Sequence, residues 1–550
     1  MNRDPQSLSK EKFDLAIVGG GIQGAATARD AAMRGLKVAL VDGGDFAGAT
    51  SSRSSKMIHG GLRYLEQYDF RLVHEARRER RLLLKLAPHL AQPVPFLLPI
   101  YHGDPYSPFK IRLGLTLYDL MGNLGRRDLH KMLSPEDTVR RVPALRGEAL
   151  RAGAVYFDSE TDDARLTFEN ILDAANHGAM VSNYTRIRAL SVSSGNGRPE
   201  VQTAEAEDLL TGRKHEVAAR FWINAAGPWV DHVRAFLPGY DGSRTVRLTK
   251  GTHILVPPVS GPFAMFAAIL PGKRVFVMVP WHGHALLGTT DTDYDGDPAD
   301  VRPERADAEY LLAALNRVLA RPLGLSDVAC AFAGLRALAV QQGRSPSENT
   351  REYVLHEDPW AANFVSICGG KLTTARALGE KVTDLVVARL GDAPAGAHAH
   401  PTRKAPLPGG QTGRFDVYLN YAAWEAVRMF DIPFPIAERI VKTYGSRWRA
   451  VLDPIRADKS LSTTVTGSTD LLAAEVDFSI REEMAVCIED FILRRSGMNW
   501  FGVNSLRDAI PSIADIFTNR LGWDATRRDE AIQLFHAQAS HTKFNASARV

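Results

Sequence analysis

Residues 13–42 read FDLAIVGGGIQGAATARDAAMRGLKVALVD. Residues 13–18 are short, apolar and followed at once by glycines, the pattern of a buried strand. Residues 23–34 are alanine-rich and stop at Gly35, as a helix with a glycine end does. Residues 37–41 form a second apolar run. Strand, helix and strand in this order make a β-α-β unit, so the sheet here is expected to be parallel. Gly19, Gly21 and Gly24 spell G-x-G-x-x-G between the first strand and the helix. Glycine there permits a tight turn, close approach of the backbone to a pyrophosphate, and close helix packing. The helix N-terminus presents unpaired N–H groups to the phosphates. The second strand ends on Asp42, 18 positions after Gly24. A carboxylate at that point accepts the hydroxyls of an adenosine ribose and disfavours a 2′-phosphate. The unit reads as a dinucleotide site and disfavours NADP, while leaving NAD and FAD both open.

Outward from this stretch, the chain runs to 550 residues, with 45% hydrophobic and 24% charged side chains. That is globular composition, enough for three or four packing units at roughly 150 residues each. The net charge of +4 comes from 67 basic and 63 acidic groups. So small an excess gives no argument for nucleic acid; it suits anionic substrates or an anionic lipid surface. Cys330, Cys368 and Cys487 are odd in number and form no C-x-x-C pair, so neither a disulfide framework nor a zinc site is expected and a reducing compartment is implied. Residues 1–12 are polar, unlike a secretory signal. No apolar run is long enough to cross a bilayer.

A basic helix is expected over 69–86, a proline-rich stretch over 88–108, and a helix over 166–178. Strands joined by a polar hairpin are expected over 186–223, antiparallel strands over 245–290, a buried strand over 364–367 and a helix over 373–390. Residues 391–413, rich in Ala, Pro, Gly and His, read as a linker. Helices follow to about 538.

After Asp42 comes GATSSRSSKMIHGGLRYL at 48–65. Then follow NAAGPW at 224–229, KGTH at 250–253, LGTTDTD at 287–293, GLR at 334–336 and GGKLTT at 369–374. Together these resemble the FAD-dependent, quinone-linked glycerol-3-phosphate dehydrogenase family. The resemblance covers roughly residues 13–390, and IREEMA at 480–485 and LRR at 493–495 extend it more weakly. It implies an α/β plus α+β fold: a glutathione-reductase-like FAD-binding Rossmann domain, an inserted antiparallel-sheet substrate domain and a C-terminal helical domain. The flavin domain is expected over 13–75, 150–235 and 340–392, and the substrate domain over 76–149 and 236–339. The linker at 393–413 and the helical domain at 414–540 complete the chain. The resemblance further implies oxidation of sn-glycerol 3-phosphate to dihydroxyacetone phosphate, with electrons passed to a membrane quinone in glycerol and glycerophospholipid catabolism. It places the protein at the cytoplasmic face of the cell membrane. Two departures stand out: Arg336-Ala-Leu replaces the family's frequent Arg-Pro-Leu, and the region 460–475 looks shortened.

The chemistry needs a cationic phosphate cradle, a base for the hydroxyl proton and a hydride acceptor. Arg63, Arg336 and Arg351 are the expected cradle, because a guanidinium donates two parallel hydrogen bonds to phosphate; Tyr64 adds a hydroxyl. His59 and His253 are the candidate catalytic histidines, with His253 expected to line the site and His59 to act as base or orienting group. Lys371, opening a helix after two glycines, is expected to stabilise the reduced flavin or to bind substrate oxygen. Gly369, Gly370, Leu372 and Thr373 bring backbone against the flavin ring. Thr50, Ser51 and Ser52 are expected cofactor contacts, with Val181 beside adenine and Ala226 and Gly227 close to the cofactor. No metal is expected: Asp291, Asp293, Asp295 and Gly296 imitate an EF-hand, but the twelfth position is Arg302 rather than glutamate.

Arg71, Arg77, Arg78, Arg80, Arg81 and Lys85, interleaved with leucines, could seat the chain on an anionic bilayer; 109–127 is a second candidate. Oligomeric state is left open, a homodimer being one option. The competing functions are a glycerol-3-phosphate oxidase that makes peroxide from oxygen, an amino-acid or amine oxidase on the same scaffold, and a non-catalytic flavin-binding protein.

Overall fold

A computed structural model describes residues 1–61, 70–122, 129–193, 198–269, 274–340, 353–466, 470–498, 500–502, 506–540 and 542. Two sheets organise the body. The first has the order Val354–Glu357, Phe364–Cys368, Lys214–Asn224, Lys12–Val18, Val38–Val41, Met180–Ser182. Its inner strands are parallel. They are buried on both faces over their C-terminal halves, which is why residues 15–18 and 38–41 read as continuous apolar runs rather than as alternating ones. Thr185–Ser193 and Glu200–Asp208 extend this sheet as an antiparallel hairpin.

The helix Ile22–Met33 packs on the sheet and against the helix Ala375–Leu390. Its alanines let the backbones approach. A side chain at Gly379 would strike the Ala26 carbonyl at 2.6 Å. Gly35 follows the helix with φ +84°, a left-handed turn that glycine supplies without a Cβ penalty.

The second sheet is mostly antiparallel. Val246–Val256 pairs along its length with Cys330–Ala339, and on its other side with His284–Gly288. Leu150–Thr161 pairs with Ala91–Tyr101, and Met57–Ile58 joins at the edge. Leu150–Thr161 therefore belongs to the second sheet, not to the flavin domain expected from 150 onward. Its pattern of buried residues suits either sheet, so only pairing decides.

Within the proline-rich stretch, to which the sequence assigned no element, Ala91–Tyr101 is an eleven-residue strand. Pro93, Pro95 and Pro99 share one parity, so their missing N–H groups all fall along one edge, and the other edge stays free to pair.

The stretch expected as a linker is docked. Arg29 donates to Ala405 O at 2.8 Å, Leu407 N donates to Leu86 O at 2.8 Å, and Arg403 pairs with Glu380. Beyond it, the helices Phe415–Phe430, Phe434–Tyr444, Ala473–Glu482, Ile510–Leu521 and Ala525–Ser540 pack around two apolar cores, one containing Trp448 and Phe478, the other Ile513 and Phe535. Buried ion pairs tie this domain to the first sheet. Arg165 meets Glu483 at 2.7 Å, and both Arg494 and Arg495 bond Asp45.

Candidate active site

The parallel strands of the first sheet end at Val18, Asp42, Ala225 and, after Cys368, Gly369. All four line one cavity of about 1320 Å³, at the C-terminal strand ends where open α/β sheets bind ligands. The glycine turn opens onto it. Gly19 has φ +111°, and a Cβ there would meet the Ala225 carbonyl at 2.5 Å. A Cβ at Gly24 would collide with the Gly19 carbonyl, so this glycine serves helix packing and does not line the cavity. Ser51 Oγ accepts from Ile22 N at 2.9 Å, at the start of the helix. Asp42 accepts from Gly20 N at 2.6 Å and Gly44 N at 2.8 Å. Burial pushes its carboxyl up to about 6 despite these bonds, which act to lower it.

The next wall of this end is Tyr184, Thr185, Arg186, Ile187 and Arg188. Val181 is buried one turn earlier in the chain, paired with Leu40, and does not reach the cavity. Ser52 is also buried, its hydroxyl donated to Ala49 O at 3.3 Å. Neither side chain is among those lining the cavity; the contact expected of Val181 is one made by its backbone, which side-chain burial does not decide. Thr50 lines the cavity but donates its hydroxyl to Leu335 O at 2.7 Å.

His59, Arg336, Ala226, Gly227, Gly369, Gly370, Lys371, Leu372 and Thr373 line the same cavity. Arg336 is aimed by Thr289 Oγ1 at 3.0 Å, by Thr290 O at 3.2 Å and by Asp291 at 3.3 Å. The nearby glycines keep the way clear: a Cβ at Gly251 would meet the Arg336 guanidinium at 2.7 Å. His59 Nδ1 accepts from Gly61 N at 3.1 Å, so the neutral ring carries its proton on Nε2.

His253 does not line the cavity as expected. It is 3% exposed and stacks on Phe332 at 5.1 Å between ring centroids. Its Nε2 lies 2.8 Å from Ser55 Oγ, and Ser55 is the group that faces the cavity. Burial, then the charges of Arg336 and Lys56, pull the imidazole down to about 3. Ser55 was not singled out in the sequence, although it stands inside the quoted stretch; its signal is spatial. Arg63, Tyr64 and Arg351 lie outside the described residues.

The C-terminal domain closes the remaining side through Cys487, Glu489, Arg494, Trp500, Leu534 and Gln538. Its Cys487 thiol is pushed well above its usual range by burial and by Asp490.

Residues 14–385 match the model of the FAD dependent oxidoreductase family, and residues 400–528 match that of the C-terminal domain of alpha-glycerophosphate oxidase. An aerobic glycerol-3-phosphate dehydrogenase of Staphylococcus haemolyticus is 33% identical over 543 residues, covering 96% of this chain and 95% of the relative. The Bacillus subtilis protein of the same description is 33% identical over 535 residues, covering 95% and 94%. The chain belongs to the FAD-dependent glycerol-3-phosphate dehydrogenase family. Among solved structures, the glycerol-3-phosphate dehydrogenase of Bacillus halodurans, complexed with FAD, superposes with a TM-score of 0.80 at 27% identity, covering 99% of this chain and 98% of that one.

FAD is the cofactor, and the cavity of this family member fits it. The glycine turn leaves room for a pyrophosphate, Asp42 offers two carboxylate oxygens beside it, and the cavity extends without a break from Arg186 to Lys371. The L-proline dehydrogenase of P. horikoshii shares the fold at a TM-score of 0.52, covering 99% of its own length but 72% of this chain.

Proposed function

We propose that this protein oxidises sn-glycerol 3-phosphate to dihydroxyacetone phosphate and delivers the electrons to a quinone of the cell membrane, against whose cytoplasmic face it rests. The observation that carries the reading is one continuous cavity: it joins a dinucleotide cradle at Asp42 to a cationic end at Arg336 and Lys371, in a chain whose full-length relatives are named for this activity. FAD held against the glycine turn, Asp42 and the 369–373 loop would supply the hydride-accepting chemistry for the carbon that bears the substrate hydroxyl.

The chain's own groups do the rest. Arg336, with Arg63, Tyr64 and Arg351, is assigned the phosphate. His59 offers Nε2–H to the substrate oxygen and orients it. The hydroxyl proton passes to Ser55 Oγ, whose own proton moves to His253 Nε2. Burial is the first cause of the depressed His253 imidazole and the charges of Arg336 and Lys56 come second; a phosphate dianion at Arg336 cancels part of that second contribution only, which makes the imidazole a somewhat better acceptor when substrate is present. Lys371, beside the glycine turn, is assigned the stabilisation of negative charge on the reduced cofactor.

Anaerobic titration of the yellow protein with glycerol 3-phosphate should bleach the flavin band; bleaching by an amino acid instead would overturn the substrate. Reoxidation of the reduced protein should be faster with a soluble quinone than with oxygen. The reverse order, with hydrogen peroxide formed, would make it an oxidase, the reading favoured by the family name of its C-terminal domain.

For the membrane, no helix among the described residues is long and apolar enough to cross a bilayer. The helix Pro108–Gly122 instead exposes Phe109, Leu113, Leu117 and Leu120 next to Lys110 and Arg112. Its inner side shares an apolar cluster with Tyr156, Met57, Phe266 and Val277, and all four line the cavity. A lipid-soluble acceptor arriving at this helix is thus one side-chain layer from the cofactor's space.

A further inference from the structure

Arginines buried around the cavity have carboxylate partners almost everywhere. Arg494 and Arg495 share Asp45, and Arg165 holds Glu483. Arg53 does not. Its Nη1 donates to the Ala333 carbonyl at 3.2 Å, its guanidinium lies 4.9 Å from the centre of the Trp500 ring, and its Nε has no hydrogen-bond partner. No acidic side chain among the described residues pairs with it. Burial, followed by the like charge of Arg494, lowers it to about 10. A buried charge without a counter-ion is costly, and Arg53 lines the cavity, so the missing anion belongs to whatever fills that space.

Position selects the anion. Arg53 directly follows the turn Thr50–Ser52, whose Ser51 meets the N-terminus of the first helix. The charge of Arg494 acts both on Arg53 and on Asp42, the ribose acid. Arg53 therefore sits in the phosphate–ribose half of the cavity. We propose that Arg53 binds the diphosphate of FAD, and that Trp500 of the C-terminal domain holds its guanidinium in place for that contact. A planar guanidinium presents two parallel N–H donors to phosphate oxygens. Cofactor binding then engages three parts of the chain at once: the glycine turn, the strand carrying Ala333, and the C-terminal helices. The inference rests on the FAD cavity and not on the substrate assignment.

The test titrates apoprotein with FAD and, separately, with ADP, which carries the diphosphate without the flavin. Arg53→Gln should raise both Kd values on the order of ten- to a hundredfold, the loss of a charge-assisted bond. Arg53→Lys should recover part of this, and Trp500→Leu should cost a few-fold. The apoprotein of Arg53→Gln should melt no lower than wild type, because an uncompensated charge is gone, while the rise in melting temperature on adding FAD shrinks. A purely structural role would lower the apoprotein melting temperature instead. Unchanged FAD and ADP affinity overturns the proposal. If the KM for glycerol 3-phosphate rises while FAD and ADP affinities hold, the phosphate met by Arg53 is the substrate's. Should Arg53→Gln fail to accumulate, the ADP affinity of Arg53→Lys decides, since it keeps the charge and loses the parallel donors.

Discussion

The helices Phe70–Leu86 and Pro108–Gly122 both combine apolar and basic residues, yet they face opposite ways. The first turns part of its charge inward. Arg77 donates to the Tyr118 carbonyl, Arg80 bonds Ser159 Oγ at 2.9 Å, and Glu79 meets Arg376 at 2.6 Å. Of the six cations expected to seat it on a bilayer, Arg77 and Arg80 are buried. The second helix buries Leu115 and Tyr118 but leaves Phe109 and Leu120 each 77% exposed. Phe109, Leu113, Leu117 and Leu120 follow i, i+4, i+8, i+11 spacing and so form one stripe. A basic helix is not for that reason a lipid-facing one; what counts is whether its cations already have partners and its apolar side already has a core.

This contrast can be broken most severely at the buried pair. Glu79→Ala should destabilise the protein by about 3 kcal/mol, since it removes one of the two carboxylates that hold the buried Arg376 and leaves only Glu380 at 2.8 Å; denaturant unfolding followed at the flavin band would read it, and a loss under 1 kcal/mol would mean the helix is held by its leucines alone. Next in size, Phe109→Asp with Leu120→Asp should weaken co-sedimentation with anionic vesicles on the order of a hundredfold, from roughly 1.5–3 kcal/mol per buried apolar side chain. Dye-linked turnover in solution should stay as it was; vesicle binding that survives would place the lipid contact elsewhere. Lys110→Glu with Arg112→Glu should weaken the same binding by about fivefold per charge at low salt, following ~1 kcal/mol per basic residue, and the difference should fade as salt rises. Smallest, Arg78→Ala and Arg81→Ala on the solvent side of the first helix should change stability by no more than about 0.5 kcal/mol and leave vesicle binding within twofold. A large loss of binding there would restore the first helix as the membrane face.

Legibility in the sequence followed the range of the interactions. The dinucleotide turn was readable because its requirements are local: Gly19 needs φ +111° and Gly24 needs contact with its own turn, so the constraint lies within six residues. The buried strands and the helix Ala375–Leu390 were readable from period and apolarity. Misreadings came where a distant partner decides. Ala91–Tyr101 was assigned no element in a proline-rich stretch, yet it pairs along its length with Leu150–Thr161. His253 looked like a cavity residue, but Phe332 and Ser55 come from elsewhere to cover it. Ser55, Arg53 and Trp500 carried no signal of their own, since their significance comes from one another.

By itself the sequence determined the parallel nucleotide-binding unit, the acid at Asp42, and the motif order that places this chain among the flavin-dependent glycerol-3-phosphate dehydrogenases. These are properties of neighbouring residues, set by backbone sterics and by the charge at a helix end. Only the tertiary structure decided which histidine is shielded, that the cavity-lining Arg53 has no carboxylate partner among the described residues, which helix shows its apolar stripe to the outside, and that the C-terminal domain supplies a wall of the cofactor's cavity. Each of those depends on burial and on the balance of charges brought together from far apart in the chain, and burial is a property of the whole molecule rather than of any segment.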